Sequence, residues 1–185
     1  MKFNGRTHLE MNILFERFRA AIDNIDQEEI ILCIERGVYL NQIYEHGCTA
    51  FTNLAFASKL GFSYTDLDTE EKERQMLVED LKKIELMEFL LWHGAHINEY
   101  GEGGLTALVV AADQAKVEMV KFLLENGANP NVNFFDQTEP GSENVNSIIL
   151  YTALQDAEVC CFEYARSRFQ QIVDLLVKHG AILYK

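Results

Sequence analysis

The side chains in this sequence that are best suited to metal binding are its histidines. His93 and His96 have the spacing of a pair of metal ligands, and His46 and His179 are further candidates. A structural zinc site needs four ligands, commonly paired cysteines together with histidine or carboxylate. No paired cysteine or carboxylate completes such a set here, so we expect no metal and no other cofactor.

Motifs for nucleophilic or phosphate chemistry are also missing from the sequence. There is no G-x-S-x-G, no P-loop and no G-x-G-x-x-G, and the glycine-rich run from Gly101 to Gly104 is typical of a turn. A cysteine nucleophile would need an orienting histidine, and no local pattern supplies one. We therefore expect that the protein is not an enzyme.

The composition is that of an acidic globular protein. Of the 185 residues, 48% are hydrophobic and 24% are charged, an ordinary balance for a chain with a packed core. The net charge of −13 would repel nucleic acid, whose binding relies on Lys and Arg. It would attract a protein with a basic surface, although solubility alone is an alternative explanation for the charge.

Three features bear on the compartment in which the protein works. The N-terminus lacks the apolar run of a signal peptide, and no segment approaches the roughly 18 apolar residues of a membrane span. The four cysteines, Cys33, Cys48, Cys160 and Cys161, form no C-x-x-C pair and are best explained as reduced thiols. We expect a cytoplasmic protein without a membrane partner, which is a monomer on its own.

A repeated segment predicts the architecture. LMEFLLWHGAHIN at 86–98 returns 33 residues later as MVKFLLENGANPN at 119–131, and related segments occur at 30–41 and 172–183. Their glycines are Gly37, Gly94, Gly127 and Gly180. The separations of these glycines are 57, 33 and 53 residues, which indicates a constant unit of 33 residues with insertions.

A second landmark confirms this register within the sequence. Thr49 and Thr106 each lie 12 residues after a unit-ending glycine, in G-C-T-A-F and G-L-T-A-L, and Thr152 lies in Y-T-A-L. Thr is a good helix N-cap, and glycine readily adopts the left-handed conformation that ends a helix. Each unit is therefore predicted to have a first helix that Thr opens and a second helix that Gly ends.

The second helices carry one apolar face each. In the third unit, Val117, Val120, Leu123 and Leu124 fall on one side of a helix. A single helix pair cannot bury such a face, so the units are expected to stack.

The third unit, GLTALVVAADQAKVEMVKFLLENGANPN at 104–131, resembles the ankyrin repeat along its whole length. Its Thr-x-Leu, Ala-Ala, Val-Lys-Phe-Leu-Leu and Gly-Ala-Asn segments fall where that family has them. The resemblance implies an all-α ankyrin-repeat solenoid of stacked helix-turn-helix units with short β-turn loops. The implied units of this single domain are 16–41, 47–98 with an insertion at 59–82, 104–131 and 150–185, with a long loop at 132–149.

The chain also departs from the ankyrin pattern, which affects the regularity of its loops. Pro is usual in the family where this chain has Ala50, Ala107 and Ala153, and His is favoured where it has Thr52 and Val109. The first unit lacks the Thr-x-Leu segment, so its first helix is predicted at 15–23 as an N-terminal cap. The family often has His before the terminal glycine, which implies a structural role for His93 and His179.

The insertions distinguish this chain from a regular array. The second unit has 24 extra residues between its helices, at approximately 59–82. Leu77, Leu81, Ile84 and Leu91 continue a helical stripe, so the second helix is predicted to begin near Thr69, several turns early. Seven acids and two bases at 66–80 indicate either a solvated helix face or an acidic arm that grips a partner.

The resemblance implies that the protein binds another protein through its turn tips and the concave groove along its first helices. Phe134 and Phe135, a hydrophobic pair in the polar long loop, either pack back onto the stack or contact the partner. The residues assigned to partner binding are Ile43, Tyr44, Glu45, His46, Tyr100, Glu102, Leu105, Asp113, Gln114, Phe134 and Phe135.

Three functional hypotheses remain open at this point. The protein could be an acidic inhibitor, of the immunity type, that neutralises a basic partner. It could instead be a microbial effector or adaptor that engages a host protein. In the third hypothesis it is a structural protein that self-associates through its insertions and leaves the groove unused.

Overall fold

Helices form all the regular secondary structure in the part of the chain that the structure describes. The computed structural model describes residues 7–44, 47–56, 70–101, 105–131, 148–159 and 163–183. The helices in these ranges are α1 (His8–Asn24), α2 (Gln27–Glu35), α3 (Ala50–Ala55), α4 (Glu70–Trp92), α5 (Ala107–Asp113), α6 (Val117–Glu125), α7 (Ile148–Val159) and α8 (Glu163–Lys178). The all-α prediction is confirmed.

The helices are arranged in pairs that stack into two layers. Each odd-numbered helix contacts the even-numbered helix that follows it. The first helices of successive pairs pack side by side in the order α1, α3, α5 and α7, and the second helices α4, α6 and α8 form the other layer. The groove between the turn tips and the first helices therefore lies along the layer of odd-numbered helices.

The core lies between these two layers and is continuous from α1 to α8. In α6 the predicted apolar face is confirmed, because Val120, Leu123 and Leu124 are buried and Val117 is half-buried. Burying a side chain of this size contributes about 1.5–3 kcal/mol, which no isolated helix pair would obtain.

Most of the predicted helix boundaries are confirmed. The hydroxyls of Thr49 and Thr106 accept hydrogen bonds from backbone N–H groups three residues later, at 3.2 and 3.4 Å. The glycines that end the second helices all have positive φ angles, in the region where a side chain would be strained. These four residues are Gly37, Gly94, Gly127 and Gly180.

Two helices begin earlier than the sequence predicted. Thr7 caps α1 at its hydroxyl and begins the helix at His8 rather than near residue 15, with Glu10 completing a capping box. Thr152 is an exposed residue inside α7 and does not cap it. The extra turn before Thr152 buries Ile149 and Leu150, which explains why the helix begins upstream.

An asparagine four residues after each of the first three unit-ending glycines joins its unit to the next. The Oδ1 atom of Asn41 accepts from the backbone N–H of His96 at 2.7 Å. Asn98 accepts from the N–H of Asn129 at 2.7 Å and donates to the carbonyl of Gly127 at 3.1 Å. Asn131 repeats both bonds, to Ile182 and Gly180, at 2.9 Å each. The side chains thus fix the register between neighbouring units.

The inserted part of α4 is attached to the stack by a buried ion pair. Nζ of Lys116, which precedes α6, lies 2.9 Å from a carboxylate oxygen of Asp80 and donates to the carbonyl of Phe56 at 2.9 Å. Nζ of Lys83 donates to the same carbonyl at 3.1 Å. Burial lowers the pKa of Lys116, an effect that the Asp80 carboxylate opposes. Two ammonium groups thus hold the end of α3 against α4 and α6.

The extension of α4 is confirmed, but its buried face differs from the predicted stripe. Asp80, Lys83 and Leu86 are buried, whereas Leu77 and Leu81 are exposed. Asp80 is consequently a structural ion-pair partner, so this residue belongs neither to a solvated helix face nor to an acidic arm that grips a partner. The residues before 70 in the insertion lie outside the described part of the chain. Despite the 23-residue length of α4, no described helix is apolar enough to cross a membrane.

Asn98→Ala tests the asparagine junctions. We expect the variant to lower the free energy of unfolding by about 1–2 kcal/mol, because it removes two hydrogen bonds between units. Chemical denaturation measures this difference. The matched control is Asn126→Ala, which removes one bond within a unit, from Asn126 to Phe122, and should cost less than about 0.5 kcal/mol. Equal losses for the two variants would contradict the role assigned to Asn98.

Lys116→Ala tests the ion pair that attaches α4. The substitution leaves the buried Asp80 carboxylate without this partner, so we expect a loss of about 3 kcal/mol in the free energy of unfolding. Lys121→Ala, an exposed change in α6, is the control and should have an effect within about 0.5 kcal/mol. A Lys116 variant as stable as the Lys121 variant would show that the pair does not anchor α4.

Candidate functional site

A pocket of about 330 Å³ opens in the layer of first helices between α5 and α7, beside the end of α3. Its walls are mainly apolar and include side chains from all three elements. The lining residues are Phe56, Leu105, Val109, Val110, Ala112, Asp113, Ile149, Thr152, Ala153 and Asp156. Because the three first helices lie side by side, one pocket can receive side chains from three successive units.

A second pocket extends the groove toward the first unit. It has a volume of about 640 Å³ and is lined by the end of α1, by α3 and by Glu79 and Lys83 of α4. Phe56 lines both pockets and lies between them. The exposed surface of the first helices is therefore a groove with one largely apolar pocket and one more polar pocket.

Two carboxylates provide the charge of the pocket between α5 and α7. Asp113, at the end of α5, accepts a hydrogen bond from the amide of Gln114 at 2.9 Å. Asp156, in α7, is half-buried and has no ion-pair partner among the described residues. Burial raises the pKa of Asp156, and the nearby Asp113 carboxylate raises it further. The pocket thus holds two like charges that would favour a cation or a proton.

At the equivalent junction between the first two units, the two corresponding positions hold an aspartate and an asparagine. Asp23 lies 14 residues before Gly37, as Asp113 does before Gly127, and Asn53 lies four residues after its Thr, as Asp156 does. There the amide of Asn53 donates to the Asp23 carboxylate at 2.6 Å. At the junction between the last two units, the position of the donating Asn53 amide is therefore occupied by the carboxylate of Asp156.

The structure brings some of the predicted binding residues to this groove. Leu105 and Asp113 line the pocket, and Gln114 contacts it through Asp113. Ile43 and Tyr100 are exposed near the turn tips, outside the pocket, with Tyr100 52% exposed. Five predicted residues lie outside the described part of the chain, namely Glu45, His46, Glu102, Phe134 and Phe135.

The sequence assigns Tyr44 to partner binding, but the structure buries its side chain. Tyr44 is only 5% exposed, and its ring packs on Phe15 with the centroids 5.2 Å apart. Phe15 is itself a buried residue of α1, so the Tyr44 ring packs into the core between the first helix and the turn. Burial also raises the pKa of the Tyr44 hydroxyl well above its ordinary value. Tyr44 belongs to the core of the first units and is not a surface contact.

The turn tips of the second and third units approach each other closely. Gly101 lies so near Gly47 that a Cβ atom at position 101 would be 1.6 Å from the Gly47 carbonyl oxygen. The N–H of Tyr44 donates to the carbonyl of Cys48 at 2.7 Å, and the N–H of Gly101 donates to the carbonyl of Leu105 at 3.1 Å. Glycine at position 101 is therefore required for the two turns to stack.

Sequence reasoning missed Phe56, Ile149 and Asp156 as pocket residues. Asp156 could have been found by carrying the register from Asn53, because both follow their Thr by four positions. Phe56 could have been found in the same way, since it occupies the position of Asp113, seven residues after its Thr. Ile149 had no such signal, because it precedes Thr152 in an additional helical turn.

Two of the histidines considered for metal binding, His93 and His96, have local structural partners. The Nδ1 atom of His93 lies 2.8 Å from the carbonyl oxygen of Phe89, and its ring packs on the Phe89 ring. The Nδ1 atom of His96 lies 3.2 Å from a carboxylate oxygen of Glu99. Among the described residues no group of three or more His, Cys, Asp or Glu could hold a metal ion.

The stacked helix pairs, with their glycine-ended second helices and a groove along the first, define a helical repeat protein. The sequence model of a family described as "Ankyrin repeats (3 copies)" matches residues 78–184, more than half of the chain. The chain belongs to the ankyrin-repeat family. Members of this family generally serve as non-enzymatic protein–protein interaction modules. No curated protein matches the sequence.

Asp156→Asn tests the unfavourable charge in the pocket. Because the folded pKa of Asp156 is raised above the ordinary 3.8, its contribution to stability is present at low pH and lost as the pH rises through the folded pKa. The variant should therefore unfold at a higher temperature than the natural protein at pH 7. The difference should disappear near pH 3, where the side chain at position 156 is uncharged in the natural protein as well as in the variant.

Thermal unfolding followed by circular dichroism at both pH values measures this effect. Asp174→Asn, an exposed change in α8 away from the pocket, is the matched control and should show no such gain at pH 7. An Asp156 variant with the same or a lower unfolding temperature than the natural protein at pH 7 would contradict the assigned repulsion.

Proposed function

We propose that this protein is a binding module for another protein with a basic surface, and that the partner lies in the groove along the first helices. The observation that carries the proposal is the pocket between α5 and α7. Its apolar walls favour a desolvated contact, and its two carboxylates favour a positively charged group. Pockets of this kind, with few polar groups on an apolar surface, are typical binding sites.

The charge of the whole chain supports the same class of partner. A net charge of −13 raises the association rate with a basic protein and disfavours acidic competitors and nucleic acid. Tyr100, exposed near the turn tip of the third unit, would add an aromatic contact at the edge of the groove. An inhibitor of a basic protein and an adaptor would use this surface in the same way.

Self-association is the alternative that one structural observation favours. Leu77, Val78 and Leu81 of α4 are exposed on adjacent turns of the inserted part of the helix. An apolar patch of this kind could pair with a second copy. Light scattering over a range of concentrations distinguishes the two functions, since a monomer at all concentrations removes the self-association hypothesis.

Thr152→Trp tests the groove as the binding surface. Thr152 is exposed and lines the pocket, so an indole at this position should fill the pocket without disturbing the core. The natural protein is used to capture partners from a lysate of its source cell at low and moderate salt, and the partner is then purified. We expect a basic partner whose affinity for the Thr152 variant falls at least about tenfold.

Gln170→Trp is the matched control, because Gln170 is an exposed, uncharged residue in α8, a second helix. Its affinity for the purified partner should equal that of the natural protein. The affinity of the natural protein should also fall as salt increases, because exposed charges are screened. A partner that binds the Thr152 and Gln170 variants equally well would show that the groove is not the site.

A further inference from the structure

We propose that the pocket between α5 and α7 binds the side chain of an arginine from an extended segment of the partner, with its methylene groups against Phe56, Val109 and Ile149 and its guanidinium between Asp113 and Asp156. This inference rests on the proposed function, because it assigns the chemistry of the partner at the same groove. Three structural observations lead to it.

The first observation is the shape and polarity of the pocket. Phe56, Val109 and Ile149 form apolar walls, whereas the carboxylates of Asp113 and Asp156 come from two neighbouring first helices. A side chain that fits both parts must have an apolar stem and a cationic end. Arginine and lysine have this construction and commonly bury their stems against apolar surface while their charge contacts polar groups.

The second observation is that this junction lacks the pairing found at the first junction. The Asp23 carboxylate is satisfied by the Asn53 amide at 2.6 Å. At the equivalent positions, Asp113 and a second carboxylate, Asp156, line the same pocket, and the Asp113 charge adds to burial in disfavouring the ionised form of Asp156. Asp113 already accepts from the Gln114 amide. A guanidinium from a partner would supply donors to Asp156 and cancel the repulsion between the two carboxylates, so binding would relieve an unfavourable arrangement already present in the free protein.

The third observation concerns the cations of the chain itself. The side chain of Lys116 is engaged with Asp80 and the Phe56 carbonyl, and that of Lys83 with Glu79 and the same carbonyl. The Nε atom of Arg168 donates to the carbonyl of Ala115 at 2.8 Å. None of these three side chains is among the described residues that line the pocket. The described residues that line the pocket include no lysine or arginine, so we assign the cation to the partner.

Arginine fits the two carboxylates better than lysine does. A guanidinium is planar, has five N–H donors and is weakly hydrated. It can therefore donate hydrogen bonds to carboxylates from two helices at once, and it is readily desolvated. An ammonium is a compact, strongly hydrated charge, so it loses more hydration free energy than a guanidinium when it enters a pocket with apolar walls. The pocket should accordingly prefer arginine to lysine and both to an uncharged side chain of the same shape.

The test uses N-acetyl-arginine-N-methylamide as the probe and the full chain as the receptor. Methyl NMR spectra report on Leu105, Val109 and Ile149 while the probe is added. We expect saturable shifts of these methyl signals at millimolar probe concentrations. The matching citrulline derivative, which has the same shape without the charge, should bind at least about tenfold more weakly. The lysine derivative should lie between the two.

The Asp113→Asn/Asp156→Asn double variant isolates the carboxylates. It should weaken binding of the arginine probe at least about tenfold, while Asp174→Asn, which changes a carboxylate outside the pocket, should leave the binding unchanged. The spectrum of the double variant without probe shows whether it is folded. Equal binding of the arginine and citrulline probes, or an unchanged affinity in a folded double variant, would overturn the proposal.

The outcomes separate this proposal from the proposed function. If the purified partner is blocked by Thr152→Trp but binds the double variant normally, the groove is the binding surface and the arginine pocket is refuted. If the arginine probe binds selectively and no partner depends on the groove, the pocket chemistry stands and the proposed function fails.

Discussion

The helix pairs of this chain can bury their apolar faces only against one another, so the register between neighbouring units determines the whole structure. Asn41, Asn98 and Asn131 fix that register, each by a side-chain hydrogen bond to the backbone of the following unit. A hydrogen bond of this kind contributes modestly on its own. Its geometric effect is larger, because it sets which residues of adjacent first helices lie side by side.

The groove follows from this register. Successive first helices place Asp113 near Asp156 and Asp23 near Asn53. The first junction has an amide that donates to its carboxylate, whereas the last has a second carboxylate at the same position. Lys83 and Lys116 hold the end of α3 in place, and with it Phe56, which forms one wall of the pocket. The stacking that stabilises the fold thereby assembles a surface that no single unit could form.

Much of this architecture could be predicted from the sequence, because the repeat keeps the same physical requirements at fixed intervals. The positive φ angles at Gly94 and Gly127 and the hydroxyl caps at Thr49 and Thr106 are local, and local chemistry is visible in the residue types. The burial of Tyr44 and the helical position of Thr152 could not be predicted in this way. Both depend on neighbouring segments, because Tyr44 packs on Phe15 of α1 and the apolar residues before Thr152 extend α7 upstream, and such packing is a property of the folded chain.

Hydrogen exchange in the native protein tests the role of the asparagine junctions most directly. The amides of His96, Asn129 and Ile182 lie outside the helices, and each donates to an asparagine of the preceding unit. If these bonds fix the register, all three amides should be protected nearly as well as amides in the buried part of α6, because they open only when neighbouring units separate. Exchange of these amides at the rate of an unstructured loop, with α6 still protected, would contradict the account.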